Sequence, residues 1–184
     1  MRMNLDDYAC FKENHRSLKE LSFDSAKNAY VTDKLCDAID FDKVKRWYCN
    51  NHSASEEKAH SVDALMEKDG MLYLIEFKDG DFSGRDIREK VTESLLIFCA
   101  ITKSTIAFSS KNIEAVLVYN EENKPVSKNE KTFVQESQSK NRIAAILMQK
   151  GNEEYIRFGL EKLGKPFVRA THTYTRSEFD AFLG

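Results

Sequence analysis

The sequence has little proline and glycine, no long apolar run and no excess of charge of either sign. Two prolines and seven glycines in 184 residues exclude a collagen-like or low-complexity chain, and a 32% share of charged residues favours a helix-rich surface. No apolar run approaches the roughly 18 residues of a spanning helix, and the amino-terminal stretch lacks a signal-peptide core. We therefore expect a cytoplasmic protein with no membrane role. The net charge of −2 means that binding of nucleic acid would need a local patch.

The cysteines also lack a paired spacing, so we expect reduced thiols. They are Cys10, Cys36, Cys49 and Cys99. Cys49, His52 and His60 have a spacing that zinc ligands can adopt, but no convincing fourth ligand accompanies them. A polar loop is the preferred interpretation of this segment.

A β-hairpin is predicted at residues 61–78, around the dipeptide Asp69-Gly70. Asp-Gly between two runs of alternating apolar residues is the strongest short-range signal for a two-residue turn. One face of this hairpin is expected to be core. That face carries Val62, Ala64, Met66, Tyr73, Ile75 and Phe77.

The other face of the predicted hairpin carries three charged side chains. With Asp69-Gly70 as the turn, Asp63 lies opposite Glu76, and Lys78 projects from the same face. Two facing carboxylates are unfavourable unless positive charge lies between them. A hard divalent cation such as Mg²⁺ or Mn²⁺ meets this need, and a neighbouring lysine can orient a water or stabilise phosphate charge. The pattern therefore predicts a metal site held by Asp63 and Glu76.

Asp63, followed by Glu76-Phe77-Lys78 at the end of the next strand, resembles the D…(D/E)-x-K signature of the PD-(D/E)xK, restriction-endonuclease-like nuclease superfamily. The resemblance covers about residues 58–120, and Val62 stands where the signature often has proline. It implies that Asp63 and Glu76 hold the metal, that the carbonyl group of Phe77 assists, and that Lys78 serves the attacking water.

A simpler interpretation of the same residues stays open. Asp63 and Glu76 can be solvated side chains on an exposed sheet face, with Lys78 paired to one of them, and surface ion pairs of this kind contribute little. The chain would then be a structural or regulatory domain with a chance spacing. Three leucines share this face, which argues against its being fully solvated. They are Leu65, Leu72 and Leu74.

Before the hairpin, helices are predicted over residues 1–22, over residues 22–39 and around Phe41, Val44, Trp47 and Tyr48. A polar loop is expected at residues 50–57. In the superfamily that the hairpin resembles, the preceding helix often supplies another acid to the metal. The candidates are Glu13, Glu20, Asp33 and Asp37. A solvated acidic face is the alternative for the last two.

After the hairpin, Ser83 and Asp86 have the spacing of a capping box, which predicts a helix to about residue 100. Its core stripe is Ile87, Val91, Leu95 and Phe98. Lys90 lies at the edge of that stripe, and the resemblance implies that such a residue can join the site. Snorkelling of the lysine to solvent is the alternative.

The start of the same helix is a candidate phosphate-binding patch formed by Gly84, Arg85 and Arg88. A strand buried on both faces is then predicted at residues 112–119. Because strand, crossover helix and strand form a βαβ unit, this strand should run parallel to the second strand of the hairpin.

The remaining segments are predicted as a polar loop at 121–138, helices at 142–149 and 153–163, and a strand at 167–174. A final helix is expected to open at Ser177 and to turn Phe179, Phe182 and Leu183 inward. His172 is interpreted as structural, because the sequence offers it no nucleophile.

These expectations combine into one α/β domain over residues 1–184. Its core, about 22–120, would be restriction-endonuclease-like, with a helix, a β-hairpin, a crossover helix and a parallel strand in a mixed sheet flanked by helices. Residues 137–184 would be an elaboration. The resemblance implies a Mg²⁺- or Mn²⁺-dependent nuclease acting on DNA, and by analogy a homodimer. The alternative is a catalytically silent protein-binding module, such as an antitoxin, an immunity protein or a phage-defence component, which the aromatic flanks Trp47, Tyr48 and Phe133 suit.

Overall fold

The computed structural model describes residues 3–120, 122 and 156–184, which adopt an α/β fold. A mixed six-stranded sheet is flanked by helices, and two short strands form a separate hairpin. The strands are β1 (His15–Ser17), β2 (Phe23–Asp24), β3 (Ala29–Tyr30), β4 (Asp37–Asp40), β5 (Ala64–Lys68), β6 (Met71–Lys78), β7 (Ile113–Tyr119) and β8 (Ala170–Thr175). The α-helices are α1 (Ala9–Lys12), α2 (Leu18–Leu21), α3 (Phe41–Asn51), α4 (Gly84–Thr102), α5 (Ile106–Asn112), α6 (Gly164–Phe167) and α7 (Arg176–Leu183). Short 3₁₀ turns lie at Leu5–Asp7, Glu56–Lys58 and Leu160–Leu163.

The large sheet has the strand order β1-β4-β5-β6-β7-β8. The pairs from β1 to β6 are antiparallel, whereas β6, β7 and β8 run parallel to one another. The predicted parallel pairing of the strand after the crossover helix with the second hairpin strand is therefore confirmed.

The turn between β5 and β6 forms at the predicted dipeptide, with Asp69 at φ 52° and Gly70 at φ 78°. Both central residues of such a turn need positive φ, which aspartate tolerates and glycine adopts freely. Lys68 pairs with Met71, and the ladder continues to Ala64 opposite Ile75. The predicted register is confirmed for these pairs, whereas the predicted pair of Asp63 with Glu76 lies beyond the ladder.

The two faces of the sheet pack in separate hydrophobic clusters. One cluster contains Leu65, Leu72 and Leu74 with residues of α3 and α4, and the other contains the apolar face of the hairpin and Phe179 of α7. The prediction was wrong for Val62, which packs with the first cluster. It precedes the ladder of β5, so strand alternation does not fix its direction, and its N–H donates to Ser94 Oγ of α4 at 3.0 Å.

Helix α4 begins where the sequence predicts it, because Ser83 caps it by accepting a hydrogen bond from the N–H of Asp86. Its predicted stripe is confirmed as buried: Ile87, Val91, Leu95 and Phe98. The helix therefore lies against the sheet through this stripe and carries its polar residues along the edges. Helix α5, which follows, was not predicted.

The predicted helices over residues 1–22 and 22–39 were wrong. Among the described residues 3–39, the helical segments are α1, α2 and the 3₁₀ turn at Leu5–Asp7, and β1 to β4 occupy much of the rest. Phe23 and Tyr30, which have helical spacing, are instead partners across the β2–β3 hairpin. Asp24 Oδ1 accepts hydrogen bonds from the N–H groups of Ala26 and Lys27, so the side chain replaces helical partners and turns the chain.

The polar segment that was predicted as a loop at 50–57 is partly helical, since α3 continues to Asn51. In the carboxyl-terminal part, a strand and a final helix are confirmed as β8 and α7, although Thr175 rather than Ser177 caps α7. The predicted loop at 121–138, apart from residue 122, and the predicted helix at 142–149 lie outside the described residues. So does the beginning of the predicted helix at 153–163, whose described part contains a left-handed Gly159 and a 3₁₀ turn.

No single helix in the described ranges combines the length and the apolarity of a membrane span. Helices α4 and α5 reach this length and apolarity only when taken together, and the pair is bent by 112° at its junction.

Candidate functional site

Two lysines that were predicted as site residues contact the carboxylate of Glu76, which is itself a predicted site residue. This residue lies on β6 and is fully buried, with 0% of its side chain exposed. Its Oε1 atom is 2.7 Å from Nζ of Lys78 and 2.6 Å from Nζ of Lys90. Lys78 reaches it from the end of the same strand and Lys90 from α4. The structure thus brings the edge lysine of α4 to the predicted carboxylate instead of leaving it in solvent.

Asp63 approaches the same cluster from the residue before β5. Its Oδ2 atom accepts a hydrogen bond from the backbone N–H of Phe77 at 2.7 Å. The contact with Phe77 is therefore through its amide, whereas its side chain packs in the hydrophobic cluster on the opposite face. The backbone bond fixes Asp63 beside the strand that carries Glu76.

The electrostatics of the cluster are those of closely spaced charges in a poorly hydrated place. Burial, followed by the charge of Glu76, raises the pKa of Asp63 well above its ordinary value. Partial burial lowers the pKa of Lys90, but the charges of Glu76 and Asp63 raise it by more, so its pKa lies above the ordinary value. The ammonium group of Lys90 is therefore held in its charged form.

A second contact between α4 and the start of β5 positions Asp63. Ser94 is fully buried, and its Oγ atom accepts the N–H of Val62. Next to it, Ser61 Oγ donates to Asp42 Oδ1 of α3 at 2.5 Å. The segment that carries Asp63 is thus held to both helices that cover this face of the sheet.

The cluster opens into a polar cleft of about 330 Å³ at the carboxyl end of β6. Asp63, Lys78 and the loop from Asp79 to Asp81 line one side. The β2–β3 hairpin forms the other side, with Phe23 and Asp24. Lys90 does not line this cleft. Glu76 does not line it either, so Asp63 and Lys78 are the members of the cluster that reach the cleft.

A strap of polar contacts fixes the hairpin wall of this cleft. Nζ of Lys27 contacts the backbone carbonyl of Asp79 and lies 3.7 Å from its carboxylate. Asn120, directly after β7, donates to the same carboxylate at 2.7 Å. The two walls of the cleft are thus joined through Asp79.

The donor set of the cluster fits a hard cation. Oε2 of Glu76 is buried and has no hydrogen-bond partner among the described residues, and leaving such an oxygen unsatisfied is unfavourable. Asp63 directly precedes the neighbouring strand β5. Carboxylate oxygens are the ligands that Mg²⁺ and Mn²⁺ prefer. These two residues could hold such an ion.

The acids of the amino-terminal segment make other contacts. Glu20 closes the capping box of α2 with Ser17. Asp33 pairs with Lys19 and Arg176, and Asp37 pairs with His15. Glu13 ends α1 and is exposed. The structure gives no contact between these four acids and the cluster at Glu76.

The predicted phosphate-binding patch is only partly open. Arg85 is exposed, but Arg88 donates to the carbonyl group of Gly159 at 3.1 Å. A Cβ atom on Gly84 would lie 1.9 Å from the carbonyl oxygen of Phe158, so the backbone there is covered. The adjoining groove of about 440 Å³ also contains Glu89 and Glu93.

The described residues do not assemble the cysteine-histidine zinc site. Cys49 is buried and His52 stacks on Tyr48, whereas His60 lies with Glu89 and Glu93. Ligand atoms of the last three lie within 4.8 Å of one another on the surface. This group is a second place at which a cation could bind.

His172 has partners that the sequence did not reveal. Its Nε2 atom is 3.0 Å from Glu114 Oε2, and its Nδ1 atom is 3.2 Å from the hydroxyl group of Tyr174. These contacts join β7 to β8.

The residues that sequence reasoning missed lie in the hairpin wall and its strap: Phe23, Asp24, Lys27, Asp79 and Asp81. A signal was present in residues 23–30, where two aromatic residues flank a polar segment that contains Asp and Asn, both of which favour turns. Comparison of the chain with protein-family models, with curated proteins and with solved structures gives no match.

Proposed function

We propose that this protein is a Mg²⁺- or Mn²⁺-dependent nuclease that hydrolyses phosphodiester bonds of DNA. The observation that carries the proposal is the meeting of Asp63, Lys78 and Lys90 around the buried carboxylate of Glu76, next to a polar cleft. The order of α3, the β5–β6 hairpin, α4 and the parallel strand β7 agrees with a restriction-endonuclease-like core, which we propose as the fold.

Each residue of the cluster has a separate task in this reaction. A cation held by Asp63 and by Oε2 of Glu76 would supply Lewis acidity toward a phosphate oxygen. Lys78, at the mouth of the cleft, would orient the attacking water or stabilise the charge that develops on the phosphate. Lys90 contacts Oε1 of Glu76 from α4 and holds that carboxylate in place. The N–H of Phe77 fixes the direction of the Asp63 carboxylate.

The second candidate is a nuclease-fold protein that binds another protein and does not cleave DNA. The observation that favours it is that Glu76 already contacts two ammonium groups and Asp63 a backbone N–H without any added ion. A cluster of this kind can serve stability alone. A complex with a partner protein that is insensitive to chelator and to Glu76→Gln would favour this candidate.

The direct test is cleavage of labelled single-stranded DNA, duplex DNA and RNA in the presence of Mg²⁺ or Mn²⁺. Wild-type protein should cleave DNA, and Lys78→Met should lose at least a hundredfold of the rate, within the range for a residue that acts directly on the transition state. Lys111→Met is the matched control, since this exposed lysine precedes β7 at the opposite end of the parallel strands and should leave the rate unchanged. No cleavage of any substrate with either ion would refute the proposal.

A further inference from the structure

Two large aromatic side chains stand exposed on the β2–β3 hairpin, which forms one wall of the candidate cleft. Phe23 and Tyr30 each have 43% of their surface exposed, although aromatic residues normally contribute to cores. They are partners across the β2–β3 hairpin, with ring centroids 5.0 Å apart. Phe23 also lines the cleft that contains Asp63 and Lys78.

The wall that carries these rings is fixed relative to the site. Lys27, in the turn of the hairpin, contacts Asp79 at the end of β6, as described above. On the other side, the N–H of Val31 donates to the carbonyl group of Ser22 at 3.1 Å and continues the hairpin. The rings are therefore held beside the cluster and do not belong to a free terminus.

The surroundings of the rings suit a base together with its phosphate. Nζ of Lys19, which pairs with Asp33 at 3.1 Å, lies 5.1 Å from the centre of the Tyr30 ring. The carboxylates of Asp24, Asp63, Asp79 and Asp81 in the cleft repel a bare phosphate, so Lys78 and a cation at Asp63 would have to offset their charge. An unpaired base can stack on the exposed ring while its phosphate lies at Lys78. A base inside a duplex cannot present its face in this way.

We infer that the β2–β3 hairpin is a base-stacking subsite, which makes the substrate single-stranded DNA or an unpaired end or flap. This inference rests on the proposed nuclease function, because it places the stacked base next to the phosphate to be cleaved. Phe23 is the principal contact, and Tyr30 supports its ring from the neighbouring strand. The subsite recognises the flat face of a base, so it selects strand state and not sequence.

The ring of Phe23 could instead have a purely structural role, because cross-strand aromatic pairs also stabilise hairpins. Phe23→Leu separates the two roles, because leucine keeps apolar contact with Tyr30 but has no flat face for stacking. Phe23→Trp keeps such a face. Leu96→Ala is the control, since this residue is also apolar and exposed, by 58%, but lies on α4.

The experiment measures the binding of a short fluorescent single strand, and of the same sequence as a duplex, by fluorescence anisotropy. Measurements in EDTA and with Ca²⁺ separate binding from cleavage by Mg²⁺ or Mn²⁺. We expect Phe23→Leu to weaken single-strand binding about tenfold, consistent with the loss of one stacked base. Duplex binding, thermal stability and the behaviour of Phe23→Trp and Leu96→Ala should stay at wild-type level.

The subsite is wrong if Phe23→Leu binds the single strand as wild type does, if it loses single-strand and duplex binding equally, or if wild type binds no single strand under either condition. Cleavage is followed separately on the same strands. Phe23-dependent binding without any cleavage would support the subsite and refute the nuclease. Cleavage of duplex and single strand at equal rates by wild type and Phe23→Leu would support the nuclease and overturn the subsite.

Discussion

Nζ of Lys90 lies 2.6 Å from Oε1 of Glu76, although one residue belongs to α4 and the other to β6. Lys78 reaches the same oxygen atom from the end of the strand. The crossover helix is therefore joined to the central strand by charge as well as by its apolar stripe. The second oxygen of Glu76 has no hydrogen-bond partner among the described residues, so it stays available to a cation.

Neutralising Glu76 should destabilise the fold in a way that removal of Lys90 partly relieves. Glu76→Gln leaves two ammonium groups beside an uncharged amide, and we expect a loss of about 1–3 kcal/mol. The loss stays below that for a fully buried pair, because Lys78 and Lys90 are 28% and 26% exposed and can turn toward water. The double variant Glu76→Gln/Lys90→Met should cost less than the sum of the single changes. Urea unfolding in EDTA measures all three, and strict additivity would contradict the contact.

The stability of the metal-free protein should depend on pH through Asp63. Burial and the charge of Glu76 raise the pKa of Asp63, so the folded state holds a proton that the unfolded state releases. Stability from this group is therefore present at low pH and is lost as pH rises from the unfolded pKa of about 3.9 through the higher folded pKa. Asp63→Asn removes this loss and can still accept the N–H of Phe77.

The corresponding measurement is urea unfolding of wild type and Asp63→Asn in EDTA across this interval. As pH rises from about 4 to about 8, the free energy of unfolding of Asp63→Asn should increase relative to that of wild type. Asp86→Asn is the control, since the helix dipole favours a negative charge in the exposed first turn of α4 and a trend in favour of asparagine should be absent. A difference that is constant with pH would show that Asp63 has an ordinary pKa.

Ser94 should matter for both stability and activity, although it is remote from the cleft lining. Ser94→Ala leaves the buried N–H of Val62 without its acceptor, so we expect a loss of about 1–3 kcal/mol in the free energy of unfolding. It should also lower the rate of DNA cleavage, because the segment that carries Asp63 is less firmly held. Ser110→Ala is the control, since its hydroxyl group bonds only locally to the carbonyl of Ala107. Wild-type stability in Ser94→Ala would show that the hydrogen bond is dispensable.

Gly84 should tolerate no side chain. A Cβ atom there would lie 1.9 Å from the carbonyl oxygen of Phe158, so the two segments must move apart. We expect Gly84→Ala to destabilise the protein by about 1–3 kcal/mol, as overpacking does, despite the higher helix propensity of alanine. Gly80→Ala, whose Cβ would make only 3.8 Å contacts, is the control in thermal unfolding. Equal melting temperatures for the two variants would contradict the close approach.

The part of the fold that could be predicted from the sequence is the part fixed by local chemistry. Asp69-Gly70 sets the turn, the turn sets the register, and strand alternation then places Glu76 and Lys78 on one face. Ser83 likewise fixes the start of α4 and hence the position of Lys90 along the helix. In each case a short-range rule determines where the side chain points.

The hairpin wall could not be predicted in the same way. Phe23 and Tyr30 have a spacing that suits a helix as well as a cross-strand pair, and the local turn formed by Asp24 decides between them. The attachment of Lys27 to Asp79 joins residues 52 positions apart. Contacts of this range depend on how the completed sheet presents its edges, which no local pattern encodes.

The most direct test of the central claim is isothermal titration of Mn²⁺ into wild type, Glu76→Gln, Asp63→Asn and the double variant Glu89→Gln/Glu93→Gln. The last variant removes the carboxylates of the surface group with His60, which is the other candidate cation site. We predict binding to wild type and to the surface variant, and its loss in both Glu76→Gln and Asp63→Asn. Binding that persists in these two variants and disappears with Glu89 and Glu93, or no binding to wild type, would contradict a metal site at Glu76.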